Sequence, residues 1–339
     1  MGPHRHSRME ESKSRLIKYV SLAFLTVQTT CLVLCMRVSR MQNDSPLYLI
    51  STIVVCAEFS KLSVCVIMVI VDAKLNVKHG LSLIYEQVFV EYRDTLKVLI
   101  PSALYTVQNN LLYVAISNLN AVAYQILYQS KIFTTALFMV TMLNRKLLST
   151  QWISLSLLCA GIVLSQWNPN TSKTEEANTH SYSSTAVGIL AVAMASMSSG
   201  FAGVYFEKIL KGTAPSVWMR NIQLAVFGIC VGLFGVYTYD RKAVLERGFF
   251  QGYTPLVWVI VALQTCSGLG VAFVIKYADN ILKGFAAGLS ILLSSFVSYF
   301  LLHDFTPSVA TFAGAALVIG ATVLYGHVPK KQQATNTLV

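Results

Sequence analysis

Ten runs of about twenty residues in this chain are almost wholly apolar, and no other feature limits its fold as strongly. A helix needs ~20 residues to cross a hydrocarbon core of about 30 Å, and in lipid only helices and closed barrels satisfy all of their backbone polar groups. The runs lie near 18–37, 46–71, 95–117, 119–143, 150–167, 184–207, 215–239, 254–277, 280–301 and 306–326. Of the 339 residues 55% are hydrophobic and 12% charged, where a soluble domain carries about 25% charged residues. The expected fold is an all-α membrane protein of ten transmembrane helices. The third and fourth runs nearly touch, as do the eighth and ninth. Asn118-Leu119-Asn120 and Ala278-Asp279-Asn280 supply turn and cap chemistry at those two joints.

The two joints belong to a longer correspondence. A shift of 159 places sets Asn120 on Asp279, Tyr124 on Lys283, Lys131 on Ser290 and Gly161 on Gly320. Runs three to five then align with runs eight to ten. Five spans per half is an odd number, so the second half enters the membrane in the opposite sense, which makes an inverted repeat of the kind secondary transporters use. The expected division is a cytosolic tail at 1–17, a first five-helix repeat at 18–167, a linker at 168–183, a second repeat at 184–326 and a cytosolic tail at 327–339. With the N-terminus in the cytosol, seventeen lysines and arginines fall on the cytosolic side and six opposite, as the positive-inside rule requires. The polar linker then lies outside the cytosol and carries the glycosylation sequon Asn170-Thr171-Ser172.

Several function classes are disfavoured. The net charge of +11 sits in short segments between apolar runs, so no nucleic-acid partner is expected. The seven cysteines lie within apolar runs without ligand spacing and read as buried thiols. There is no phosphate loop of the Gly-x-x-x-x-Gly-Lys type for ATP, no HExxH, and no clustered carboxylates. No cofactor, metal site or enzymatic nucleophile is expected. Residues 1–18 are polar and basic, and no small-residue cleavage site follows, so the first helix is expected to be retained.

The polar groups inside the runs need a reason. At 100° per residue Tyr124, Tyr128, Lys131 and Thr135 fall on one stripe of the fourth run. A cation at mid-bilayer costs roughly 2.5–3.5 kcal/mol, so Lys131 reads as a ligand or pathway residue. The ninth run carries a second stripe of Lys283, Ala287, Ser290, Ser294 and Ser298, whose small residues also suit close helix packing. Two cations at different depths on antiparallel helices suit an elongated anion, such as a pyrophosphate between a base and a sugar. Tyr105, Gln108, Asn109 and Tyr113 on the third run, and Asn221 on the seventh, offer groups that read bases or hydroxyls. Arg220 either snorkels to the interface or joins that site. Glu58 and Lys61, three residues apart, either neutralise one another or serve a gate. Trp152, Trp167, Trp218 and Trp258 lie near run ends, as in an interfacial belt.

Four stretches resemble the eukaryotic Golgi nucleotide-sugar transporters, a branch of the drug/metabolite transporters that carries UDP-galactose, UDP-N-acetylglucosamine or CMP-sialic acid. They are Gln108-Asn109-Asn110-Leu111, Gly200-Phe201-Ala202-Gly203-Val204-Tyr205-Phe206-Glu207-Lys208, Arg220-Asn221-Ile222-Gln223, and Lys276-Tyr277-Ala278-Asp279-Asn280-Ile281-Leu282-Lys283-Gly284-Phe285. The similarity runs over about 16–328. It implies a ten-helix fold in the Golgi membrane, both termini cytosolic, exchanging a cytosolic nucleotide sugar for lumenal nucleoside monophosphate. Carried over by motif, Lys131, Tyr124, Asn109, Asn221 and Lys283 are nucleotide and phosphate contacts. Glu58 and Lys61 match a Glu-x-x-Lys of the second helix.

Ala278, Leu282 and Asn76-Val77-Lys78-His79 are more similar to the UDP-galactose and UDP-N-acetylglucosamine members than to the CMP-sialic acid members. The expected partners are therefore a UDP-sugar, UMP and the lipid bilayer, with room for a homo-oligomer or a complex with glycosyltransferases. The alternatives are CMP-sialic acid or another nucleotide sugar as cargo, a receptor or scaffold with the same fold, and a polytopic glycosyltransferase. Departures bear on the sugar. Asn120, Leu127 and Ser130 stand where those relatives have Asp, Thr and Leu, Ala287-Gly288 replaces Thr-Ser, and Ser267 replaces Gly. Hydroxyls lost beside Lys283 remove hydrogen-bond partners, a change that shifts discrimination strongly.

Overall fold

The computed structural model describes residues 3–41, 48–119, 121–166, 182–213, 215–301 and 308–326. The regular structure among them is helical. In chain order the helices are α1 (Pro3–Met41), α2 (Ile50–Asp72), α3 (Val77–Tyr85), α4 (Tyr92–Asn118), α5 (Ala121–Tyr128), α6 (Lys131–Met142) and α7 (Ser149–Gln166). There follow α8 (Tyr182–Gly212), α9 (Val217–Gly235), α10 (Arg241–Arg247), α11 (Pro255–Tyr277), α12 (Asn280–Leu301) and α13 (Val309–Gly326). Wide-turn π segments occupy Glu86–Val90 and Val236–Asp240.

Helix starts follow local chemistry. The Asn76 side chain accepts from the His79 amide at 3.1 Å, Ser216 Oγ accepts from the Met219 amide at 3.2 Å, and Asp279 Oδ1 accepts from the Leu282 amide at 2.7 Å. Each satisfies a donor that the first turn leaves without an intrahelical partner. Pro255 stands at the first position of α11, where its missing N–H costs nothing.

Among the described residues seven helices are long and apolar enough to cross a membrane: Tyr19–Arg40, Ile50–Asp72, Ser184–Gly212, Val217–Arg247, Pro255–Tyr277, Asn280–Leu301 and Val309–Gly326. The third, fourth and fifth expected spans do not reach that measure of length and hydropathy. The third is one helix, α4, with Pro101 inside it, and the fourth is divided between α5 and α6. Residues 168–181 of the expected linker, with the Asn170 sequon, lie outside the described residues, as do Asn120 and the tail at 327–339.

The chain forms two compact units, 1–102 with 209–283 and 103–208 with 284–339. Each unit takes segments from both halves of the sequence. Three helices, α4, α8 and α12, run from one unit into the other. In the first unit α2 packs on α9 and α11, and α1 packs on α11. Polar ties cross these contacts: Gln28 Nε2 donates to the Leu263 carbonyl at 2.7 Å, Thr265 Oγ1 to the Ala57 carbonyl at 3.1 Å, and the Tyr253 hydroxyl to Thr52 Oγ1 at 3.1 Å. In lipid, where apolar side chains gain nothing by leaving water, such bonds and close packing hold helices together.

In the second unit the closest crossing is α7 against α13. A Cβ on Gly161 would lie 2.9 Å from the Gly314 carbonyl oxygen, and one on Gly314 would lie 2.6 Å from the Gly161 carbonyl oxygen and against the Ser165 amide. The obstacles are backbone atoms, which cannot rotate aside. Gly314→Ala is therefore expected to cost about 1–3 kcal/mol, read as a lower melting temperature in detergent. Gly320→Ala on the same helix, where a Cβ meets nothing within 4 Å, is the control and should melt no lower than wild type.

Candidate functional site

Within the second unit the structure brings Tyr124, Tyr128 and Lys131 into one column. The Tyr124 and Tyr128 rings stack with centroids 5.8 Å apart and 11° between planes. The Lys131 ammonium lies 4.2 Å from the Tyr128 ring centroid. A cation at that distance over a ring face is attracted by the ring quadrupole, by about 0.5–1 kcal/mol when exposed and ~2 kcal/mol when dry. Lys131 and both tyrosines are half-buried. Thr135, the last member of the stripe, turns its hydroxyl to the Lys131 carbonyl at 2.7 Å.

The column stands at a discontinuity. Between α5 and α6 the backbone tightens: the amides of Gln129, Ser130 and Ile132 bond to carbonyls three residues back, at 3.2, 3.0 and 3.0 Å. A tightened turn inside a helix is a common hinge or ligand feature. Helix α8 fixes it from the side. Ser130 Oγ donates to Ser196 Oγ at 3.0 Å, and Thr134 Oγ1 donates to the Ser196 carbonyl at 2.8 Å. Gly200 lets α8 come this near, since a Cβ there would meet Thr134 Oγ1 at 2.7 Å. The hydroxyl of Ser130, one of the departures noted in the sequence, is used in this tie.

Gln108 closes the column from α4. Its Nε2 donates to the Tyr128 hydroxyl at 3.0 Å, while Oε1 is buried and no described group donates to it. Whichever way round the amide is placed, one of its polar atoms is left for a ligand. Ser199 of α8 also hydrogen-bonds to the Tyr128 side chain. Asn109, the next residue, is exposed. Ser290 on α12 is buried and donates to the Ala287 carbonyl at 2.8 Å, and Ser294 does the same to Ile291 at 2.9 Å. Each of these hydroxyls makes one bond within its own helix.

The remaining predicted residues belong to the first unit. Lys283 is half-buried in the first turn of α12, and among the described residues nothing pairs with its ammonium. Beside it Gly284 faces open space, with nothing within 4 Å of a Cβ. Asn221 on α9 is buried and donates to the Val217 carbonyl at 2.9 Å. Lys61 and Glu58 form an ion pair of 2.5 Å along α2. Gly228 of α9 makes room for it, because a Cβ there would lie 2.7 Å from the Glu58 carboxylate.

Arg220 does not snorkel. It is fully buried, with Nη1 2.6 Å from Asp94 Oδ2 and 2.7 Å from Gln223 Oε1, and Nη2 donating to Thr213 Oγ1 at 2.7 Å. Gln223 Nε2 continues the network to the Gln87 carbonyl and Thr95 Oγ1, both at 3.1 Å. Residue pattern alone did not single out Asp94, Thr95, Gln223, Ser196 or Ser199. An acidic residue at the head of α4 was the one local sign of the ion pair, and it does not name a partner 126 positions away.

The second unit thus offers a cation for an anionic group, stacked aromatic rings, and one polar atom of the Gln108 amide for a ligand. A profile of the nucleotide-sugar transporters matches residues 13–326. The mouse UDP-N-acetylglucosamine transporter is 54% identical over 93% of this chain and 96% of its own length. The human UDP-galactose translocator is 48% identical over 92% of this chain and 77% of its own. A solved crystal structure only 12% identical shares the fold, with a TM-score of 0.58 over 93% of this chain and 97% of that one. Matched along nearly all of its length, this multi-pass membrane protein belongs to the nucleotide-sugar transporter family and is a transporter rather than an enzyme.

Proposed function

We propose that the protein is an antiporter that carries UDP-N-acetylglucosamine, UDP-galactose or both into the Golgi lumen in exchange for UMP. The observation that carries this reading is the Lys131 ammonium on the Tyr128 ring, beside the buried Gln108 amide oxygen to which no described group donates. A transporter without ATP chemistry needs a site whose charge its cargo neutralises, and a nucleotide phosphate neutralises a lysine. The family motifs assign Asn109 and Tyr124 of the second unit, and Asn221 and Lys283 of the first, to nucleotide and phosphate, and the helical stripe adds Ser290. Glu58 and Lys61 act in gating or in holding α2. The names of the mouse and human relatives support the UDP-sugar cargo.

Ten spans, five in 18–167 and five in 184–326, form an inverted repeat, with a lumenal linker at 168–183 and both tails cytosolic. Alternating access then moves one part of the protein against the other around the nucleotide.

The test is exchange in liposomes of purified protein preloaded with UMP or CMP and offered labelled UDP-N-acetylglucosamine, UDP-galactose and CMP-sialic acid. Uptake of at least one UDP-sugar against UMP is expected. Uptake of CMP-sialic acid alone would reassign the cargo, and uptake of none would leave a receptor or scaffold.

A further inference from the structure

We propose that Tyr128 is a positioning residue for Lys131, a pedestal that holds the ammonium over its ring in the empty carrier and releases it to the phosphate of an incoming nucleotide. This rests on the reading that Lys131 meets phosphate. Three contacts fix the ring. Gln108 Nε2 holds its hydroxyl at 3.0 Å, Ser199 bonds to the same side chain, and Tyr124 stacks on it with ring planes 11° apart. A phenol tied at its tip and stacked on its neighbour cannot swing, so its face is a fixed surface for the ammonium 4.2 Å away.

The backbone is shaped to the same end. Lys131 is three residues beyond Tyr128, across the tightened turn at Gln129 and Ser130. Ser196 bonds both Ser130 and Thr134, one residue before and three after the lysine. The start of the lysine's helix is therefore tethered independently of any ligand. A long, flexible side chain loses rotamer entropy when it grips a ligand, and a ring that already confines the ammonium removes much of that loss. The cation–π contact is also weaker than a charge-assisted bond to phosphate, so an arriving anion wins the ammonium from the ring.

The pedestal acts on phosphate recognition alone, and this separates it from a packing role. The full-length protein is titrated with UMP and with uridine, which lacks the phosphate, and the ratio of the two affinities is compared across variants. Tyr128→Leu is expected to weaken UMP roughly ten-fold while uridine moves less than about two-fold. Tyr128→Phe, which keeps the ring and its stacking but loses the ties at its tip, should fall between wild type and the leucine variant for UMP. If Tyr128→Leu does not fold, Tyr128→Met keeps more of the bulk and takes the same titration. An unchanged ratio in the ring-less variant, an equal loss for both ligands, or a phenylalanine variant as impaired as the leucine one would each overturn the pedestal. Wild-type protein with no preference for UMP over uridine would overturn the phosphate reading of Lys131, and the pedestal with it.

Discussion

Replacing Lys131 by alanine is expected to abolish nucleotide-sugar uptake and to leave the protein as stable as before. Removing one partner of a desolvated charge pair costs about 2–5 kcal/mol, and the upper half of that range is a loss of several hundred-fold or more in binding. Stability does not follow. A lysine inside an apolar run costs roughly 2.5–3.5 kcal/mol to bury, and the ring of Tyr128 is among the contacts that offset it. Deleting the charge removes the cost and those contacts together, so little net change in stability is expected. Uptake into liposomes and the melting temperature in detergent, measured on one preparation, separate the two effects. Full uptake by Lys131→Ala would remove the lysine from the mechanism, and collapse of the fold would make it a structural residue.

The second large effect is expected at Arg220, next in the chain to Asn221 but committed to a buried polar network. Arg220→Leu leaves the Asp94 carboxylate without its guanidinium, and takes a donor from Gln223 and from Thr213. Breaking a buried pair from one side costs about 3–5 kcal/mol because the other charge remains buried. Lys97, 3.4 Å from Asp94 and largely exposed, compensates part of it, which puts the expected loss at the low end of that range. The melting temperature should fall by on the order of 5 °C. Adding Asp94→Asn should recover part of the fall, since the orphaned charge is then gone. An Arg220→Leu variant that melts with wild type would show that the network contributes nothing to stability.

Lys131 and its tyrosines were legible in the sequence because a single helical period of local residues sets that stripe. The same reasoning placed the run at 119–143 in one helix, and there it fell short. No proline or glycine interrupts Ala121–Met142. The tightened turn at Gln129 and Ser130 depends on Ser196, more than sixty residues on, and hydropathy carries no trace of such a tie. Arg220 was visible as a costly charge, but its partner was not, because Asp94 reaches it only through tertiary packing. The serine stripe on α12 shows another limit: Ser290 and Ser294 each donate to a carbonyl of their own helix, a bond the pattern could not distinguish from a ligand contact. Family motifs supplied Asn221 and Lys283 as ligand contacts. Asn221 donates one amide N–H to its own helix, and its second N–H and its oxygen are not used in that bond.

The central claim is obligatory exchange through a site whose lysine needs an anion in order to cross. Uptake of labelled UDP-N-acetylglucosamine into liposomes with and without trapped UMP tests it most directly. Uptake that rises many-fold with UMP inside, and returns to background in Lys131→Ala, is the predicted result. Equal uptake into empty and UMP-loaded liposomes, carried out by the protein, would contradict it.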